Sequence, residues 1–163
     1  MMTPQLDALD WRILDQLQTD ASLSNQALAE RVHVSPATCL RRVKRLVDCG
    51  VIERRVALLS PDAIGAGLTA VVEITLDHQA AERLAGFEER VIAEPAVQQC
   101  YRTSSGPDFV LVVQVRDMDA YHALVQRLFT SDANVRNVKS YFSVKRSKFA
   151  PALALPQQAS RSA

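Results

Sequence analysis

Apolar residues in the first third of the chain recur every three to four positions, which is the spacing of amphipathic helices. This spacing predicts a helix over about residues 7–18 and a shorter one over about 25–32. Ser35 followed by Pro36 is a typical helix start and Gly50 is a typical helix end, so a third helix is predicted between them. Two helices separated by so short a turn are typical of a helix-turn-helix.

The rest of the chain alternates between strand-like and helical patterns. Runs rich in Val, Ile and Thr predict four strands, at Leu68–Leu76, Val97–Thr103, Phe109–Val115 and Val135–Val144. Helical spacing predicts one helix from Ala81 to about Glu94 and another that begins after Asp117. The order βαββαβ predicts a ferredoxin-like α+β domain, in which both helices cover one face of an antiparallel sheet.

The open face of that sheet is predicted to be partly apolar. Four residues are placed on it: Val71, Tyr101, Val113 and Phe142. An exposed apolar patch usually marks a partner, and two such sheets packed face to face would form a homodimer. An RNA-binding sheet is the alternative, but the central strands carry few aromatic residues for stacking on bases.

The predicted third helix has two unlike faces when each residue is rotated by about 100° from the last. Five apolar residues fall in one arc and are predicted to pack on the first two helices: Cys39, Leu40, Val43, Leu46 and Val47. Small, hydroxylated and basic residues form the opposite face: Ala37, Thr38, Arg41, Arg42, Lys44 and Arg45. A bare cationic face of this kind fits the major groove of duplex DNA.

The residue types on this face predict two kinds of DNA contact. Three residues are predicted to contact base edges: Ala37, Thr38 and Arg41. Five are predicted to contact phosphates: Arg42, Lys44, Arg45, Ser24 and Ser35. Beyond Gly50, a short extended segment with Arg54 and Arg55 is predicted to form a wing, or else to be a linker with two charges. The alternative for the whole face is a surface helix whose arginines serve only solubility.

The charge distribution agrees with a polyanionic partner for the first third. The 163 residues carry 19 basic and 18 acidic side chains, a formal charge of +1. Residues 31–55 nevertheless hold seven basic against two acidic side chains, whereas residues 62–132 hold five against eleven. Such a division indicates one segment built for a polyanion, although solvated charged faces are the simpler alternative.

Other chemistry is not indicated by the sequence. The three cysteines include no Cys-x-x-Cys pair, so reduced thiols are expected, with a loose metal site among His33, Cys39, Cys49 and Cys100 as the alternative. We find no phosphate-cradling loop or metalloprotease motif, and therefore expect no enzyme activity, no metal and no cofactor. No apolar run is long enough to cross a bilayer and no signal sequence is visible, so we expect a cytoplasmic protein.

A family resemblance adds to this interpretation. The run SPATCLRRVKRL at residues 35–46, followed by Gly50-Val51-Ile52, resembles the recognition helix of the Lrp/AsnC family of bacterial and archaeal transcription regulators. The similarity continues upstream at Leu6-Asp7, Asp10, Ile13-Leu14, Leu17-Gln18 and Asp20, and downstream at Ala57-Leu58-Leu59-Ser60-Pro61 and Gly65. It covers about residues 6–150.

The resemblance implies an effector domain that binds small molecules, typically amino acids, and that assembles dimers and often octamers. In the family the effector usually binds near the turn between the second and third strands, between dimers. Six residues at this turn are therefore expected to contact it: Ser104, Ser105, Gly106, Pro107, Asp108 and Phe109. Ser140 is a further candidate, because it stands where the family often has a Thr on the last strand. Ser105 stands where the family usually has Gly. Backbone N–H groups around Gly106 would face a ligand carboxylate and Asp108 would pair with an α-amino group, or else the segment is a plain hairpin turn.

Together these features predict three parts. Residues 1–62 form a helix-turn-helix DNA-binding domain with a linker strand, residues 63–150 a ligand-binding and oligomerisation domain, and residues 151–163 a flexible tail. The predicted function is that of a sequence-specific DNA-binding transcription regulator that responds to an amino acid or a related metabolite. The alternatives are a metabolite-sensing module and an effector-independent architectural DNA-binding protein.

Overall fold

The computed structural model describes residues 4–156, which form two compact units. Among the described residues, the first unit contains 4–58 and 148–156, and the second contains Leu59–Ser147. Within residues 4–156, no helix combines the length and apolarity that a membrane span needs.

Three helices form the first unit: α1 (Ala8–Thr19), α2 (Asn25–Arg31) and α3 (Pro36–Asp48). Each begins after a polar side chain that accepts hydrogen bonds from the first turn, namely Asp7, Ser24 and Ser35. Buried apolar side chains from all three helices form one core: Ile13, Leu14, Leu28, Ala29, Val32, Cys39 and Leu46. The predicted three-helix arrangement is confirmed.

The turn between α2 and α3 is held by backbone and side-chain hydrogen bonds. The Val34 N–H donates to the Ala29 carbonyl at 3.0 Å, and the Asn25 side-chain amide donates to the Pro36 carbonyl at 2.9 Å. His33 lies in this turn with a φ of 58°. Few residues other than glycine adopt a positive φ without cost, although His is among the more tolerant.

We expect substitutions at His33 to report this backbone strain. His33→Val should lower the free energy of unfolding by about 1–2 kcal/mol, because a β-branched side chain clashes in the left-handed region. His33→Gly should be at least as stable as the parent. Glycine adopts this φ without strain, and the relief of strain offsets the greater conformational entropy that glycine has in the unfolded state. Urea denaturation followed by Trp11 fluorescence measures both, and equal stability of the two variants would argue against a strained turn.

Helix α3 is rotated relative to the prediction. Cys39 and Leu46 are fully buried, but Leu40 and Val47 are 59% and 46% exposed, so the prediction that these two pack on α1 and α2 is wrong. The buried face is turned by roughly 50° around the helix axis, away from Leu40 and Val47 and toward Arg42, which is half-buried. On that side α1 places the Asp7 and Asp10 carboxylates, which form ion pairs with Arg42.

Residues that follow α3 differ from the predicted wing. Residues 53–60 form neither a helix nor a strand, so Arg54 and Arg55 do not belong to a hairpin in the described chain. The end of the chain returns to the first unit, where Leu155 packs against its core. The Gln18 side chain donates to the Leu153 carbonyl at 3.1 Å and accepts from the Leu153 N–H at 2.7 Å. These contacts involve the first residues of the segment expected to be a tail, and the flexible tail stays a prediction because residues 157–163 lie outside the described residues.

The second unit is a four-stranded antiparallel sheet with helices on one face. Its elements are β1 (Leu68–Leu76), α4 (Ala81–Ile92), β2 (Val97–Arg102), β3 (Phe109–Val115), α5 (Met118–Val125), which continues into a π turn at Gln126–Thr130, and β4 (Val135–Phe142). The strand order is β2-β3-β1-β4, with every neighbouring pair antiparallel. This is the predicted ferredoxin-like arrangement.

The two faces of the sheet follow the alternation of the strands. Ala70, Val72 and Ile74 of β1 and Phe109, Leu111 and Val113 of β3 are fully buried under the helices. Val71 and Tyr101 lie on the open face as predicted, being 37% and 55% exposed, and Tyr141 joins them. The placement of Val113 and Phe142 on that face is wrong. Both residues lie in register with the helix-facing side of β1, and Phe142 contacts the Tyr121 ring.

Candidate DNA-binding surface and effector turn

Helix α3 presents an exposed polar face that begins at its N-terminal cap. Ala37, Arg41 and Lys44 are exposed, and Thr38 is half-buried. The Ser35 Oγ accepts from the Thr38 N–H at 3.3 Å and donates to the Thr38 Oγ1 at 2.9 Å. Arg41 and Lys44 are therefore exposed basic side chains of α3, and Arg45 is exposed over nearly half of its side chain.

The two serines predicted to contact phosphates cap helices. The Ser24 Oγ accepts from the Ala27 N–H at 3.2 Å, and Ser35 acts in the same way at α3. Both serines are exposed at helix N-termini, where the partial positive charge of the helix favours an anion. Either serine could therefore contact a phosphate while its side chain continues to cap the helix.

Arg42 and Arg45 form ion pairs with α1. The Arg42 Nη1 lies 2.6 Å from the Asp7 Oδ2 and 3.3 Å from the Asp10 Oδ1, and the Arg45 Nη2 contacts the Asp10 Oδ2. The Arg42 and Arg45 side chains are 26% and 46% exposed. Each arginine thus engages a carboxylate of the same chain, and Arg42 lies largely within the helix packing. The phosphate contacts expected of both arginines stay a prediction.

Asp10 is the centre of this network. Its side chain is fully buried, and its Oδ2 also accepts the Asp7 N–H at 3.0 Å, while the Asp7 Oδ1 accepts the Asp10 N–H at 3.0 Å. This reciprocal capping box fixes the start of α1. Two carboxylates and two guanidinium groups leave the cluster neutral, which is what burial of Asp10 requires. The sequence pattern gives no sign of this pairing, because the four residues lie on two helices that are distant in the sequence.

Hydrogen bonding lowers the pKa of Asp7 from its ordinary value of 3.8 to about 2, mainly through the Asp10 N–H and then through Arg42. Because the folded-state pKa is the lower one, the stabilisation is complete above about pH 3.8 and is lost as the pH falls toward 2. We expect the melting temperature of the first unit, followed by Trp11 fluorescence, to fall over that range. Asp7→Asn, which keeps a capping side chain, should flatten this fall. An unchanged slope in the variant would contradict the assignment.

The turn between β2 and β3 is a tight, exposed hairpin. Ser104, Ser105 and Gly106 are exposed, and Gly106 has a φ of 84°, which favours glycine. The Thr103 N–H donates to the Asp108 carbonyl at 3.0 Å, and the Thr103 hydroxyl donates to the Pro107 carbonyl. These bonds close the hairpin and set its tip toward solvent.

Asp108 is fixed against the end of β1. Its N–H donates to the Ile74 carbonyl at 2.8 Å, and its Oδ2 accepts from the Leu76 N–H at 2.7 Å. Asp108 is half-buried in this position. The carboxylate is thus held in one orientation at the base of the turn.

Two predicted effector residues belong to the core side of the sheet. Phe109 is fully buried, and its ring lies 4.9 Å from that of Phe87, so its side chain cannot contact a ligand at the turn. The Ser140 hydroxyl hydrogen-bonds the Tyr121 hydroxyl on the helix face. Alternation along β3 and β4 sends both side chains under the helices. The burial of its ring corrects the assignment of the Phe109 side chain, whereas the effector contact of the half-buried Ser140 stays a prediction.

The cysteines and acidic residues form no metal cluster in the described part of the chain. Cys39 is buried in the first core, and burial raises the pKa of its thiol. Cys49 is exposed and Cys100 is half-buried, and all three are free thiols. Cys39 therefore acts as a small apolar core residue.

Fold and site together define a DNA-binding regulator with a ligand-binding domain, and comparisons with known proteins agree. A winged helix-turn-helix DNA-binding domain matches residues 6–53, and the Lrp/AsnC ligand binding domain matches residues 69–153. The chain belongs to the Lrp/AsnC family of transcription regulators, which are not enzymes.

Individual relatives cover nearly the whole chain. The DNA-binding transcriptional activator DecR of Escherichia coli K12 is 38% identical over 92% of this chain and 99% of its own length. An uncharacterised HTH-type transcriptional regulator of Haemophilus influenzae is 41% identical over 84% of this chain and 82% of its own. A transcriptional regulator of Neisseria meningitidis, whose crystal structure is a complex with L-Met, shares 33% sequence identity with this chain. The match covers 94% of this chain and 99% of that one, with a TM-score of 0.87.

Proposed function

We propose that the exposed face of α3 reads a DNA operator in the major groove and that an amino acid bound at the β2–β3 turn changes the affinity for that operator. The proposal that α3 binds DNA rests on the difference between the two faces of this helix. Cys39 and Leu46 are buried, whereas Ala37, Arg41 and Lys44 are exposed around the opposite side. Small and basic side chains near a helix N-terminus allow close approach to base edges.

The effector part rests on the geometry of the turn. The exposed backbone around Gly106 offers N–H groups to a ligand carboxylate, and the Asp108 Oδ1 offers an acceptor to an α-amino group, because the Leu76 N–H occupies only the Oδ2. An amino acid carries both groups. The L-Met complex of the Neisseria meningitidis relative supports an amino acid as the class of effector.

The assembly we propose is a homodimer formed through the open face of the sheet. Val71, Tyr101 and Tyr141 are partly exposed there, and Val110 and Val112 lie between them in register. A two-fold arrangement buries this face on both copies and predicts operator half-sites about one helical turn apart, or a multiple of it. Octamers built from such dimers are the larger assembly that the family resemblance implies.

A thermal-shift titration against the twenty amino acids tests the effector. We expect a selective rise in melting temperature, since a ligand that binds only the folded state stabilises it. Asp108→Asn keeps an acceptor for the Leu76 N–H but removes the charge, and should abolish the rise with little change in the melting temperature without ligand. The stabilising amino acid should also change DNA affinity, because regulation needs different affinities for the two states.

The other outcomes separate the alternatives. No rise with any amino acid, together with operator binding, would indicate an effector-independent DNA-binding protein. A rise without any salt-dependent binding of duplex DNA would indicate a metabolite-sensing module, since phosphate contacts make DNA affinity fall steeply with salt.

A further inference from the structure

The buried carboxylate of Asp10 lies directly behind the DNA-facing helix. It belongs to α1, yet it receives guanidinium groups from two residues of α3, Arg42 and Arg45. Arg45 differs from Arg42 in that nearly half of its side chain remains exposed, at 46%. The surrounding groove is lined by Gln5, Leu6, Asp7, Arg41, Arg42 and Arg45, so it opens on the same side as Arg41.

We propose that Asp10 is a positioning residue for DNA recognition: it holds Arg45 in one orientation, so that the guanidinium presents its remaining donors to the duplex. A guanidinium group has five N–H donors in a rigid plane, and the contact with the Asp10 Oδ2 engages the Nη2 end. Fixing that end fixes the plane of the whole group. This inference rests on the proposed use of α3 as the reading helix.

A fixed arginine favours specificity more than affinity. A mobile guanidinium can bind any phosphate within reach, whereas an oriented one makes its contact only where the DNA offers an acceptor in the matching place. Ordering the side chain in the free protein also removes part of the entropy that binding would otherwise cost. Asp10 itself brings negative charge toward a polyanion, so its charge alone would weaken DNA binding.

These two effects have opposite signs in the variant Asp10→Asn. Loss of the charge alone predicts tighter binding of every duplex, while loss of positioning predicts weaker binding of the operator. Because Asn retains the size of Asp and an oxygen acceptor, the Asp7 N–H keeps a partner and the capping box is disturbed little.

The experiment compares two duplexes bound by the full-length protein. One is selected by the parent protein from a random pool, and the other has the same base composition in scrambled order. We expect Asp10→Asn to bind the selected duplex at least tenfold more weakly and the scrambled duplex equally well or better. Asp48→Asn removes one exposed carboxylate from α3 and serves as the matched charge control, with an unchanged ratio of the two affinities.

A second substitution tests whether Asp10 acts through Arg45. The ratio that matters is the affinity for the selected duplex divided by the affinity for the scrambled one. In a protein that already carries Arg45→Ala, adding Asp10→Asn should not change this ratio further. Arg45→Lys, which keeps the charge but not the planar group, should lower the ratio as Asp10→Asn does, and it keeps the test available if Asp10→Asn does not fold.

The contrary results are distinct from a failure of the proposed function. If the parent protein selects no sequence, the proposed use of α3 fails. If the parent is selective and Asp10→Asn or Arg45→Lys keeps the parent ratio, the positioning role of Asp10 is wrong. Equal weakening of both duplexes by folded Asp10→Asn would mean a purely structural role and would also overturn it.

Discussion

Replacing Phe109 with alanine is expected to lower the free energy of unfolding of the second unit by about 3–5 kcal/mol, which is a large part of the stability of an ordinary domain. The ring is fully buried and packs on Phe87, which in turn lies 6.3 Å from Phe129, so its removal opens a cavity at the centre of the core. Urea denaturation followed by circular dichroism measures the loss.

Ile92 provides the control in the same unit. It is the last residue of α4 and is 65% exposed, so Ile92→Ala should cost far less than Phe109→Ala. Trp11 is the only tryptophan and belongs to the first unit. The unfolding transition of the first unit, followed by Trp11 fluorescence, should therefore change little in either variant. If Phe109→Ala were as stable as the parent and lost only ligand binding, the assignment of Phe109 to the core would be contradicted.

The second large effect is expected at Arg41. Arg41→Ala should weaken binding of the selected duplex about ten- to hundredfold, because one bidentate arginine contact contributes about 1–3 kcal/mol of base discrimination. Arg41 is exposed near the centre of the polar face of α3, and its loss leaves no core position empty. Fluorescence anisotropy of a labelled duplex at fixed salt measures the change.

A control for Arg41 removes the same charge elsewhere. Arg83 is exposed on α4 of the second unit, so Arg83→Ala should leave DNA affinity close to that of the parent. An Arg41→Ala protein that is folded and binds the selected duplex as tightly as the parent would show that α3 is not the reading helix.

The local sequence pattern predicts most of the fold for a clear physical reason. The N-caps at Ser24 and Ser35 and the alternation in β1 and β3 are short-range signals, and the structure places helices and strands where these signals lie. Burial of alternate residues then decides which face of the sheet the helices cover, because a strand with one apolar face packs that face against the helices.

The errors arise where distant residues decide the outcome. Apolar periodicity alone puts Leu40 and Val47 in the core, but in the structure both are exposed, and Arg42 packs inward where it pairs with Asp7 and Asp10. A helical wheel treats every charge as exposed and therefore cannot show this pairing.

The candidate effector site was predicted less completely for a similar reason. Local chemistry and the resemblance are enough to indicate the turn and Asp108. The face of the sheet to which Phe109 and Ser140 belong depends instead on how β3 and β4 are in register with β1. A shift of one residue in a strand moves its side chain to the opposite face. The spacing of Val and Ile residues does not fix that register by itself.

The central claim is that this chain binds DNA sequence-specifically through the exposed face of α3. The most direct measurement is the affinity of the full-length protein for its selected duplex and for a scrambled one across a series of salt concentrations. We predict a preference of at least a thousandfold for the selected duplex near physiological salt, with log affinity falling linearly with log salt for both. Equal affinity for the two duplexes, or affinity independent of salt, would contradict the claim.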